Sequence, residues 1–176
     1  MSRTLLASLV AVFVASSAAA QGVPGSIINL PPSTPTVKLS GPRLGVTLLS
    51  ESAVNQLGED LNVSVSPAIT QFGWQFEKRF YSGSNGLTAV SEWVTLIGGV
   101  DQGAFLPSVS WLVGLRTGSG IEFAVGPNLT PLGTAFAAAA GVTLRSGGLN
   151  FPLNVAIVPA KSGVRVSFLA GFNARK

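Results

Sequence analysis

From position 42 onward, apolar and polar residues alternate with a period of two. The runs are short, and each closes on a turn rich in glycine, serine, proline or asparagine. That is the periodicity of strands with two unlike faces. The first run spans Arg43 to Ser50, with Leu44, Val46 and Leu48 on one face. The second, about Ala68 to Tyr81, carries Phe72, Trp74, Phe76 and Phe80, and Ser82-Gly83-Ser84-Asn85-Gly86 turns it into the third, Leu87 to Ile97. Gly98-Gly99 and Asp101-Gln102-Gly103 mark the next reversal, before a fourth run from Phe105 to Thr117 with Phe105, Val109, Trp111, Val113 and Leu115. Gly118-Ser119-Gly120 opens a fifth (Ile121, Phe123, Val125, Leu129), and Thr130-Pro131-Leu132-Gly133 a sixth (Phe136, Ala138, Ala140, Val142, Leu144). Ser146-Gly147-Gly148 leads to a seventh (Leu149, Phe151, Leu153, Val155, Ile157), and Lys161-Ser162-Gly163 to an eighth (Val164, Val166, Phe168, Ala170, Phe172). The third is the least clean, because Val90, Val94 and Leu96 share the parity of Glu92. Eight runs joined by short reversals predict an all-β, up-and-down antiparallel meander, and eight strands suffice for such a sheet to close into a barrel.

The opposite parity holds about one charge per strand: Arg43, Glu77, Arg79, Glu92, Arg116, Glu122, Arg145 and Arg165. Around them lie small or amide residues such as Gly45, Gln71, Gln75, Gly114, Ala124, Asn128, Ala137, Gly141 and Asn154. The remaining charges beyond the first twenty residues (Lys38, Glu51, Glu59, Asp60, Asp101, Lys161, Arg175, Lys176) fall in loops, turns and tails. Lys78 alone departs from the rule. It stands near a strand end beside Phe80 and Tyr81, where a lysine can reach back to the headgroup level of a bilayer.

Two barrels can be built from this pattern. In one the apolar face lines a ligand-filled lumen and the polar face meets water. In the other the apolar face meets lipid and the polar face fills the interior. An aqueous exterior with one charge per strand, padded by glycine and alanine, is poor in Lys and Glu. It would also crowd Phe72, Trp74, Phe76, Trp111, Phe136 and Phe151 into a lumen barely wide enough for side chains. Small residues on the polar face leave room for long Arg and Glu side chains inside, where five arginines and three glutamates can pair. Such ions must be matched, because a buried ion left alone costs several kcal/mol. The excess of Arg over Glu implies that water, backbone carbonyls, Gln and Asn complete the network. The expectation is therefore a transmembrane β-barrel with a polar, side-chain-filled interior and those six aromatics facing lipid. A soluble periplasmic barrel that binds a lipid or other apolar ligand is the alternative.

The N-terminus reads as an address. Arg3 precedes a twelve-residue apolar stretch, Thr4 to Ala15, and Ser16-Ser17-Ala18-Ala19-Ala20 offers the small residues of a cleavage site, so residues 1–20 are expected to be a signal peptide. Twelve apolar residues fall short of the roughly twenty of a spanning helix. Residues 21–41 read as a tether, since Pro24, Pro31, Pro32 and Pro35, with Pro42 just beyond, disfavour helix and central strand. The barrel then occupies 42–176.

Composition narrows the chemistry. Among 176 residues there is no His and no Cys, and charged residues make up 10%, against about 25% in a soluble domain. Mean hydropathy is +0.49. Zinc fingers, cysteine nucleophiles, disulfides and histidine bases are excluded. A formal charge of +4 spread over the chain is no nucleic-acid footprint. No Gly-x-Ser-x-Gly elbow, P-loop or dinucleotide fingerprint occurs, so no catalytic, cofactor or metal site is expected. Glu77, Glu92 and Glu122 are read as ion-pair partners of arginine.

This pattern resembles the small outer-membrane β-barrel proteins of Gram-negative bacteria, the outer-membrane protein A and X type. The resemblance covers 42–176. Lys161-Ser162-Gly163-Val164-Arg165-Val166-Ser167-Phe168 also has the spacing of that family's C-terminal signal, in which Gly163, Val164, Val166 and Phe168 would be read by the barrel assembly machinery. Here Phe172 is followed by Asn173-Ala174-Arg175-Lys176, where the family ends on an aromatic. The resemblance implies both termini in the periplasm, a location in the outer membrane, and a structural or narrow-channel role with outer-membrane lipid as the surroundings. The odd-numbered connections would then face outside. Only the first is long, Glu51 to Ser64, with Ala53, Val54, Leu57 and Leu61 spaced for one face of a short helix weakened by Gly58. It could cover the barrel mouth, contact a partner, or simply pack as a loop.

Overall fold

The computed structural model describes residues Leu39–Ala174. The proposed signal peptide and all but the last three residues of the proposed tether lie outside the described residues. Eight antiparallel strands run in chain order: β1 (Gly41–Leu49), β2 (Ala68–Ser82), β3 (Thr88–Gly98), β4 (Leu106–Arg116), β5 (Ile121–Thr130), β6 (Gly133–Ser146), β7 (Leu149–Ala160) and β8 (Gly163–Gly171). Each pairs with its neighbours in sequence, and β1 pairs with β8, so the meander closes into an eight-stranded barrel. Closure gives every strand two partners and leaves no sheet edge.

Side-chain alternation and closure together divide the residues into an inner and an outer set. Phe72, Trp74, Phe76, Trp111, Phe136 and Phe151 all point outward and are exposed. Trp93 and Trp111 sit directly opposite each other on β3 and β4 and stack outside the wall, centroids 5.9 Å apart. Trp111 donates its indole N–H to Ser91 Oγ at 2.9 Å. On β2 the register shifts between Arg79 and Tyr81. Such a bulge inserts one residue, and it turns both Phe80 and Tyr81 outward.

Prolines interrupt the ladder locally. Pro42 lies within β1, opposite Trp74, at the strand's beginning where a missing N–H is tolerated; the strand thus starts slightly before the expected boundary. Opposite Phe151-Pro152 the last strand breaks at Phe172, then resumes over Asn173–Ala174, which pair with Asn150 and Leu149 on β7.

Two ends can be told apart. At one, the β2–β3, β4–β5 and β6–β7 connections are tight hairpins. At the other, the β1–β2 connection forms α1 (Glu51–Leu61). Ser50 caps the helix, its Oγ accepting from Ala53 N and from Val164 N of β8. Asn62 ends it in the left-handed conformation, φ 53°. Ala53 and Leu57 face inward and pack with Leu49, Val65, Ile69, Ala104 and Leu106, so the helix covers the barrel mouth. Gly163 makes this possible: its φ is +111°, and a Cβ there would run into Ser50 and the first turn of α1.

At the same end the β3–β4 connection, with a 3-10 turn at Val100–Gln102, is tied to the chain entering β2. Thr70 donates to Asp101 Oδ1 at 2.5 Å, and Gln102 accepts from Ser66 N and donates to Ala68 O. The Thr70 hydrogen bond to the ionised form holds the Asp101 carboxyl below the usual carboxylate range. A group depressed in the folded state contributes stability above its unfolded pKa and loses it as pH falls through the folded value. The Asp101 carboxyl carbon, followed by NMR, should therefore titrate below an ordinary aspartate, and Thr70→Val should move its midpoint upward.

Candidate functional site

The interior has two unlike halves, and the sequence pattern anticipates one of them. Toward the hairpin end lies a charge cluster. The register sets Glu77 of β2 directly opposite Glu92 of β3, and Arg116 of β4 directly opposite Glu122 of β5. Two facing carboxylates repel, and Arg116 resolves the conflict by reaching across all four strands. Its Nη2 donates to Glu77 Oε2 at 2.5 Å and to Glu92 Oε1 at 3.3 Å, and its Nε to Glu122 Oε2 at 2.6 Å. All four side chains are at most 7% exposed. One guanidinium thus serves three carboxylates, a fork geometry that a lysine could not supply.

The three glutamates also bring carboxylate oxygens within 4.8 Å of one another, the spacing of a cation site. The guanidinium of Arg116 already bonds all three, so the arginine takes the role a metal would have. The cluster forms an electrostatic strut across four strands.

The other sequence-predicted arginines bond to no carboxylate among the described residues, and Arg43 and Arg165 find amide and carbonyl oxygens of the kinds expected for the arginines in excess of glutamate. Arg43, 1% exposed, bonds to no carboxylate: Nε donates to Gln75 Oε1, Nη1 to Pro42 O and Nη2 to Leu39 O. Its guanidinium lies over Gly171, where a Cβ would meet Nη1. Arg165, at the opposite end of the lumen, donates to Thr130 Oγ1 at 2.8 Å and Asn128 Oδ1 at 3.1 Å, while its Nε is buried without a partner. Arg79 is half-buried near the hairpin end, with Nη1 buried and unpartnered. Arg145 does not belong to the interior cluster: it is exposed at the rim, where it donates to Gly118 O at 3.2 Å. Parity puts it on the inner face, but β6 is ending there and the side chain escapes to the edge.

Toward the α1 end the interior is largely apolar, which corrects the expectation of a polar filling throughout. Val94, Leu96, Leu112, Ala124, Ala137 and Val158 form an inner cluster beside the one packed under α1. The parity of Val90, Val94 and Leu96 on β3, which clashes with an all-polar lumen, is their true orientation: they face inward and are buried. Between these side chains lies a cavity of about 90 Å³, bordered by Leu57 of α1, Leu106, Leu112 and Val158, with Gln71, Asn128 and Arg165 among its polar lining. Of the expected assembly-signal residues, Gly163 makes the β7–β8 turn, while Val164 and Phe168 stand exposed on the outer face of β8, with Val166 half-buried between them.

No protein-family model, curated protein or solved structure matches this chain.

The strut makes a stability prediction. Arg116→Met leaves three buried carboxylates without their cation and should cost about 3–5 kcal/mol, read from urea unfolding of the refolded barrel. Adding Glu92→Gln in that background should recover part of the loss. An unchanged unfolding midpoint in Arg116→Met would show that the cluster carries no stability.

Proposed function

We propose that this chain is an integral outer-membrane β-barrel protein with a structural role, its outer face in contact with acyl chains. One observation carries the reading: among the described strand residues pointing outward, Lys78 is the sole charged group on a face otherwise dominated by exposed apolar and aromatic side chains. Phe123 is 64% exposed, Phe136 59% and Phe76 54%. Such a band around the whole circumference far exceeds the few-hundred-Å² patches of soluble monomers. Strands of 9 to 15 residues match the roughly 9–11 residues that a tilted strand needs to span hydrocarbon.

In this reading the exported chain is inserted by the barrel assembly machinery, with Gly163, Val164, Val166 and Phe168 as the recognised segment. The termini lie on the periplasmic side and α1 on the outside. With the Arg116 strut at one end and α1 over the other, any conduction is narrow. The apolar cavity favours a second reading, a soluble periplasmic barrel for an apolar ligand, but that reading leaves the aromatic exterior in water.

Gel mobility separates the two. A folded membrane barrel resists SDS in the cold and shifts on boiling, so boiled and unboiled samples should run at different positions. Identical mobility would support the soluble barrel.

A further inference from the structure

Arg43, Arg79 and Arg165 all lie in the lumen without a carboxylate partner among the described residues, and of the three Arg165 stands at the α1 end, beyond the charge cluster. Arg165 is 9% exposed, and no carboxylate among the described residues lies within ion-pair distance of it. A guanidinium offers five N–H donors; Thr130 and Asn128 each accept one hydrogen bond from it, and Nε–H has no partner. An uncompensated buried cation is costly, so a site that retains one commonly uses it. This cation borders the lumenal cavity, whose other walls are mostly aliphatic. Glu92, which also borders the cavity, is already held by Arg116.

We propose that the α1-side half of the lumen binds a small monocarboxylic acid, its carboxylate accepting from the Nη–H donors of Arg165 that Thr130 and Asn128 leave over and its alkyl tail lying between Leu112 and Val158. One free guanidinium charge matches one anionic charge, and the ligand supplies the counter-ion that the chain lacks. The volume limits the tail: about 90 Å³ is less than the roughly 150 Å³ that accommodates benzene. A short alkyl chain fits and a long acyl chain does not. Leu57, Pro131 and Leu132 bound the cavity where α1 covers the mouth, which makes the helix the barrier a ligand must pass. The proposal stands on the lumen alone, so it is tested separately from the outer face.

The probe is sodium butanoate, with 1-butanol as the neutral match, titrated into the refolded barrel and followed by amide chemical shifts. Saturable shifts centred on Asn128 and Arg165, at least tenfold weaker for 1-butanol, are the expected result. Arg165→Gln should weaken butanoate at least tenfold. Arg165→Met should leave the ligand-free barrel as stable as the parent or more so, because it removes an uncompensated charge. Ala137→Leu, which keeps Arg165 and fills the cavity, should also abolish saturation and decides the matter if the arginine variants fail to fold. The proposal is overturned by the absence of saturable shifts, by equal binding of 1-butanol, or by unaltered binding in folded Arg165→Gln or Ala137→Leu.

Discussion

Closure of the sheet through the β1–β8 pairing is the constraint on which the rest of the structure depends. Pairs such as Val46 with Phe168 and Thr47 with Ser167 fix the last strand against the first. With all strands doubly paired, each side chain is committed to the lumen or to the outside by its parity, and a slip of one residue would exchange the two sets. Every feature of the interior follows from that sorting. Arg116 meets three carboxylates because the β2–β3 and β4–β5 registers bring Glu77, Glu92 and Glu122 to one height. Arg165 finds only amide and hydroxyl partners because its level of the barrel contributes Asn128 and Thr130.

The lumen is thereby divided by polarity. The hairpin half is held by ionic and amide contacts that fix long side chains across the barrel. The α1 half is held by aliphatic packing, and there the filling is incomplete. A helix is laid over that half, with Ala53 and Leu57 continuing the apolar lining. An ionic brace thus stands at one end of the lumen and a helix-covered apolar cavity at the other.

Much of this was legible in the alternation of the chain, since a closed sheet obeys the period-two rule along nearly all its length. The eight strands, their turns and the outward aromatics follow from it. The α1 helix follows from the spacing of Ala53, Val54 and Leu57, although its cap on Ser50 carries no hydrophobic signal. What parity cannot report is height along the axis. Arg145 and Arg116 have the same parity relation to their strands, yet one is at the rim and the other reaches inward. Nor does parity name partners: Arg43 is satisfied by Gln75 and by backbone carbonyls of residues just before it in the chain. The apolar half of the lumen was hidden because β3 is apolar on both faces, with Trp93 outside and Val94 inside, so alternation fades where the interior changes character.

The central claim is that the apolar face of the wall meets acyl chains. The three tryptophans, Trp74, Trp93 and Trp111, all stand on that face, so their combined fluorescence reports it without interference from the lumen. Reconstitution into vesicles of brominated phospholipid, compared with the unbrominated lipid, should quench the emission strongly, while aqueous iodide should have little effect. Emission indifferent to bromine and quenched by iodide would place those rings in water and contradict the account.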